Sequence, residues 1–210
     1  MRKDYLTVSN EAVAEMEEKK SRFISTVKPV TTEEEAQAFI NELRAKYWNA
    51  THNVYAYYIC AGNELQKFSD DGEPSGTAGM PVLEAIKKSG VQDVAVVVTR
   101  YFGGTLLGAA GLVRAYGKSA SLGLEAAGIV RKLLCVEAII SMDYSLLGKL
   151  QATAASKGYE IKDTVYTENV EMHVYVPVDE YDSFCAAVTE ASNGRAVVSA
   201  GDKVYITRKV

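Results

Sequence analysis

VVVTRYFGGTLLGAAGLVRAY, residues 96–116, is the stretch that decides the fold. It continues the valine run of Val94, Val96, Val97 and Val98, and residues 91–101 therefore read as a strand buried on both faces. Gly103 and Gly104 then turn the chain into a helix expected over residues 106–127. That helix carries Gly108, Gly111, Gly117 and Gly123. Each glycine costs about 0.8–1 kcal/mol relative to alanine in a helix interior. Such a penalty needs an offset, and the physical candidate is close approach of this backbone to the sheet or to a ligand.

Upstream, Thr32 and Glu35 form a capping-box pattern ahead of Ala36, Phe39, Ile40, Leu43 and Tyr47 at helical spacing. Residues 22–30, ended by Pro29, and residues 52–60 read as strands, and residues 81–89 as a short helix stopped by Gly90. Residues 11–20 fit a strand or a charged helix equally well. From Leu133 the order becomes strand (134–144), helix (145–157), two strands parted by Glu168 and Asn169, helix (179–192) and strand (203–209). This βαββαβ order is ferredoxin-like. The expectation is an α+β protein with an N-terminal domain over residues 1–132 and a ferredoxin-like C-terminal domain over residues 133–210.

A chain of 210 residues with 48% hydrophobic and 24% charged residues is neither disordered nor fibrous. The longest aliphatic run, residues 94–98, is too short to cross a bilayer, and residues 1–20 are charged throughout, so a cytoplasmic protein without a membrane or secretion signal is expected. Cys60, Cys135 and Cys185 lie far apart with no ligand spacing and read as reduced core thiols. Lys and Arg balance Asp and Glu at 16 each through residue 134, whereas residues 135–210 hold 7 against 11. A nucleic acid would have to meet a local basic patch, because no global field attracts it.

Two segments carry the candidate chemistry. FSDDGEPSGTAGMP, residues 68–81, runs from Ser69 through Asp70, Asp71, Gly72, Glu73, Pro74, Ser75 and Gly76 to Thr77 before opening into a helix. Such a loop aims backbone N–H groups at one point and forms an anion cradle, yet its three carboxylates would repel a phosphate. They suit either a solvated turn or a water-mediated Mg²⁺ site. In the second segment Arg100, Tyr101, Phe102, Gly103 and Gly104 stand at the strand exit, and Arg114 shares a helix face with Leu107, Ala110 and Gly111. The two arginines are either counter-charges for the carboxylates or phosphate-reading groups of a binding groove. There is no GxGxxG fingerprint and no GxxxxGK[ST] loop, and neither His52 nor His173 stands in a metal spacing. A His52 base acting toward Ser75 is conceivable, but nothing in the sequence brings the two together. No catalytic residue, metal site or cofactor is expected.

Together KSRFIS (residues 20–25, containing Arg22), ATHNVYAY (50–57, containing His52), SDDGEPSGTAGMP (69–81) and VVVTRYFGGTLLGAAGLVRAYG (96–117) resemble the IMPACT/YigZ family, nearly end to end. The resemblance implies an N-terminal domain like a small-subunit ribosomal protein and domain IV of elongation factor G, and a C-terminal domain like domain V of that factor. Eukaryotic members of the family restrain a starvation-sensing kinase by competing for its ribosome-associated activator. The implied role here is regulation of translation by a non-catalytic protein that binds RNA, the ribosome or a translation-related protein. Metal-assisted phosphoester hydrolysis on the acidic loop is the alternative. The chain departs from the family pattern at Leu106, where a lysine is usual, and at Ala110, where a glycine is.

Overall fold

The computed structural model describes residues 2–62 and 64–210, which divide into two compact units, residues 5–62 and 64–131 with 209–210, and residues 2–4 with 132–208. The larger unit is built on an antiparallel sheet of order β2-β3-β6-β4-β5. Its strands are β2 (Ala12–Glu18), β3 (Ser21–Pro29), β4 (His52–Ile59), β5 (Leu65–Ser69) and β6 (Val94–Tyr101). Strand β6 lies at its centre, paired with β3 and β4, and the alternation of its side chains feeds two cores. Val94, Val96 and Val98 pack with Phe23, Val54 and the helices α2 (Gly79–Ser89) and α3 (Ala109–Ala127). Ala95 and Val97 face the other way, onto Phe39, Ile40 and Leu43 of α1 (Glu33–Lys46). Helices on both faces explain why β6 reads as continuously apolar although the sheet is antiparallel.

Residues 12–18 resolve the open case at 11–20 in favour of a strand. The hairpin from β2 to β3 closes on Lys19 and Lys20 alone, both at positive φ (47° and 66°), which is the signature of a type I′ turn. Thr32 caps α1 by accepting from the Glu35 N–H, while Glu35 reaches back to the Thr31 N–H instead of that of Thr32. Helix α3 begins at Ala109, three residues later than its periodicity suggests, because Gly108 adopts φ 71° ahead of it. Within α3 the glycine penalty finds its offset at Gly123, where a Cβ would stand 2.3 Å from Ser25 Oγ on β3. The helix backbone therefore lies directly on the sheet.

The second unit follows the order β7 (Ile129–Met142), α4 (Leu147–Ser156), β8 (Glu160–Tyr166), β9 (Val170–Pro177), α5 (Tyr181–Ser192) and β10 (Val197–Lys209). Within it β7, β9 and β8 pair in that order, with β10 also paired to β7. The first strand of the chain, β1, is formed by Asp4–Val8. Ala138, Ile140, Met172 and Val174 face a core closed by Leu150 and Phe184. On strands β7, β8 and β9, Glu137 accepts from Lys162 and pairs with His173 Nδ1 at 2.8 Å. The three cysteines are free thiols, and only Cys135 is fully buried; Cys60 and Cys185 are half-exposed, which corrects their reading as core residues. Among the described residues no helix is long and apolar enough to cross a membrane.

Candidate functional site

Strand pairing places His52 of β4 directly opposite Arg100 of β6, and the loop between β5 and α2 folds over both. Its three carboxylates go to three different destinations. Asp70 Oδ1 accepts from the N–H groups of Ala78 (3.1 Å) and Gly79 (2.8 Å), and its Oδ2 from that of Gly76 (2.8 Å). The anion cradle at the start of α2 thus exists, and its occupant is the chain's own Asp70. Asp71 accepts from the Asn53 N–H at 2.6 Å and from Arg44 at 2.9 Å. Glu73 turns inward, accepting from Arg100 Nη1 at 2.5 Å and from the Tyr116 hydroxyl at 2.7 Å. Burial, and then the Glu73 carboxylate, push the Tyr116 hydroxyl far above its ordinary pKa. Among the described residues no three His, Cys, Asp or Glu side chains converge to hold a metal ion.

Arg100 therefore fills the counter-charge role and not that of an exposed reader. Its guanidinium lies between the rings of Phe23 (5.4 Å) and Phe102 (5.6 Å), and Nη2 donates to Ser21 Oγ at 3.2 Å. Its buried Nε has no hydrogen-bond partner among the described residues. His52 Nδ1 lies 2.8 Å from the Asp71 carbonyl oxygen, which can only accept, so Nδ1 carries the proton. The other ring nitrogen, Nε2, is 3.7 Å from Glu73 Oε1, too far for a hydrogen bond. Both imidazole nitrogens thus face the acidic loop's Asp71 and Glu73, and Ser75 is exposed and not engaged by His52, so the conceivable His52–Ser75 couple is not formed.

Around this polar cluster lies an open pocket of about 380 Å³. Pro74, Phe102, Leu106, Leu107 and Leu112 supply its apolar wall. His52, Glu73 and Arg100 form its polar edge. Leu106 is 82% exposed, and Phe102 is also exposed, its N–H held by Thr51 Oγ1. The Gly103 turn can close this wall only without a side chain, since a Cβ there would stand 1.9 Å from the Lys20 carbonyl oxygen. Ser69 Oγ accepts from the Asp71 N–H, Thr77 is tied to the Pro74 carbonyl, and Gly72 and Gly104 turn at positive φ. The remaining expected residues stand outside the pocket. Arg22 is exposed, pairs with Glu15 at 2.6 Å and lies 6.0 Å from the Tyr101 ring, whose hydroxyl donates to Asn49. Arg114 is exposed and lines a separate concavity. Sequence reasoning misses Tyr116 and Arg44, which complete the carboxylate pairing. The signal for Tyr116 is its place on the buried face of α3 with Leu112, Ala115 and Ser119.

The Impact N-terminal domain family matches residues 19–124, and a domain of unknown function (DUF1949) matches residues 140–195. The chain is 45% identical to the IMPACT family member YvyE of Bacillus subtilis (strain 168) over 206 residues, covering 98% of this chain and 95% of that protein. It is 36% identical to YigZ of Escherichia coli (strain K12) over 178 residues, 84% of this chain and 87% of that one. Protein IMPACT of Mus musculus is 38% identical over 96 residues, 43% of this chain and 30% of that protein. A solved structure described as the crystal structure of a hypothetical protein, 32% identical, matches 96% of this chain and 99% of its own with a TM-score of 0.61. With the two-domain likeness to YvyE running through nearly the whole of both chains, this chain belongs to the IMPACT family.

Proposed function

We propose that this chain is a non-catalytic RNA-binding protein of the translation apparatus, acting in the cytoplasm by taking an unpaired base into the pocket beside Arg100. The observation that carries this reading is the pocket itself. Apolar side chains line it on one side, and the side chains of His52, Glu73 and Arg100 form a polar edge on the other. Sequence-tolerant RNA binders use such surfaces, pairing an aromatic or apolar platform for the base's flat face with a few polar groups for its edge. The implied likeness of the two units to domains IV and V of elongation factor G points to the same setting. Metal-assisted hydrolysis is the weaker reading, because Asp70, Asp71 and Glu73 are each committed to donors of the chain itself.

Fluorescence anisotropy with a labelled 12-nucleotide single-stranded RNA at low salt tests the proposal. Phe102→Ala should weaken binding roughly tenfold, within the range for loss of one stacked base. The corresponding duplex, whose bases are not free to enter a pocket, should bind more weakly. Equal binding of single strand and duplex, or wild-type affinity in Phe102→Ala, would overturn it.

A further inference from the structure

The protein carries a formal net charge of −4, so RNA needs a local seat for its phosphates. We infer that Lys19, Arg114 and Lys118 form that seat and bind the phosphodiester adjoining the base held in the pocket; the assignment rests on the reading above. These three cations line a concavity of about 200 Å³ between β2 and α3, floored by Gly111 and Ala115. Glu18 is the one carboxylate in it. None of the three cations has an ion-pair partner among the described residues, so their charge is not cancelled within the concavity except by Glu18 nearby. Arg114 and Lys118 also stand four residues apart on one helix, where like charges repel. Lys19 is brought up by a hairpin turn held at positive φ and pinned from behind by Gly103. Leu107 lines both this concavity and the pocket, so a single nucleotide can straddle that side chain with its base on one side and its phosphate on the other.

Two measurements test the seat. The first is an NMR titration with inorganic pyrophosphate. Saturable shifts are expected at the Arg114 side chain and the Lys19 and Lys20 amides, and they should vanish in Arg114→Ala/Lys118→Ala while the rest of the spectrum stays wild-type. The second is the salt dependence of binding to the 12-nucleotide RNA. The double variant should flatten the slope of log affinity against log salt by about 1. Phe102→Ala should lower affinity without changing the slope. Pyrophosphate shifts in a protein that binds no RNA would uphold the seat and remove the pocket reading. No pyrophosphate shift, or an unchanged slope in the double variant beside weakened binding by Phe102→Ala, would overturn the seat and leave the pocket standing.

Discussion

Glu73 Oε1 lies 2.5 Å from Arg100 Nη1, and the two side chains are only 4% and 5% exposed. A pair so buried is worth little as a net contribution, but removing one member strands the other charge, at about 3–5 kcal/mol. Arg100→Ala should therefore lower the melting temperature by roughly 10 °C, taking about 2–4 °C per kcal/mol for a chain of this size. Thermal melts followed by circular dichroism check this. An Arg100→Ala protein that melts like wild type and loses only RNA affinity would make Arg100 a reader and not a strut.

Asp70 stands where an anion would bind, with three N–H groups on its carboxylate. Asp70→Ala should cost about 0.5–2 kcal/mol, the range for losing a helix cap. It also empties the cradle, so the melting temperature of Asp70→Ala should rise with added phosphate more than that of wild type. Melts across a phosphate series read this directly. Equal phosphate dependence in the two proteins would show that the three N–H groups do not form an anion site.

The sheet and its helices were legible where one signal dominates. The valine run gives β6, the Thr32 cap gives α1, and the glycine cost within α3 correctly calls for a backbone contact, found at Gly123 against Ser25. Strand β5 was not legible, since Leu65–Ser69 is mostly exposed and shows no alternation. Nor was the Lys19–Lys20 turn, because type I′ hairpins are recognised by asparagine and glycine, and lysine at positive φ is set by tertiary contacts. At the site, the loop and the strand exit were each legible as segments, but their adjacency was not, since it is set by the pairing of His52 with Arg100 across β4 and β6. Which carboxylate meets which donor was not, because Asp70, Asp71 and Glu73 are chemically alike in sequence and only the turn at Asp71 (φ 46°) and Gly72 (φ 88°) sends them different ways.

Adjacent glycines in the same turn should respond differently to alanine. At Gly103 a Cβ would overlap the Lys20 carbonyl, whereas at Gly104 nothing lies within 4 Å and the only obstacle is φ 81°. Gly104→Ala should cost about 1–2 kcal/mol, the penalty of a left-handed conformation. Gly103→Ala should cost distinctly more and displace the Lys19–Lys20 hairpin. Urea melts rank the two, and a Gly103→Ala protein as stable as Gly104→Ala would refute the contact.

In the other unit the Lys162 ammonium, and then the His173 imidazole, hold the Glu137 carboxyl below its ordinary value of 4.5. A carboxyl depressed in the folded state contributes stability that is present above the unfolded value and lost as pH falls through the folded one. Stability should therefore decline as pH drops below about 4.5, and Glu137→Gln should flatten part of that decline by lowering stability above it, the two proteins converging at low pH. Urea midpoints measured from pH 7 to pH 3 give the comparison. Parallel acid limbs in the two proteins would count against this pairing.

The Lys19–Lys20 turn sets stability against charge. Both residues hold positive φ, which costs an ordinary side chain about 1–2 kcal/mol and glycine almost nothing. Lys20→Gly should raise stability by up to about 1 kcal/mol, since the relief of positive φ exceeds the extra unfolded-state entropy of glycine. It should leave pyrophosphate binding unchanged, because Lys20 is not among the residues lining the concavity. Lys19→Asn suits the first position of such a turn, so it should gain less in stability and weaken pyrophosphate binding through loss of the charge. A phosphate seat purchased with backbone strain must show both effects, separated at adjacent positions. If Lys20→Gly destabilises the protein, or if Lys19→Asn binds pyrophosphate like wild type, the strained hairpin is not what presents the cation.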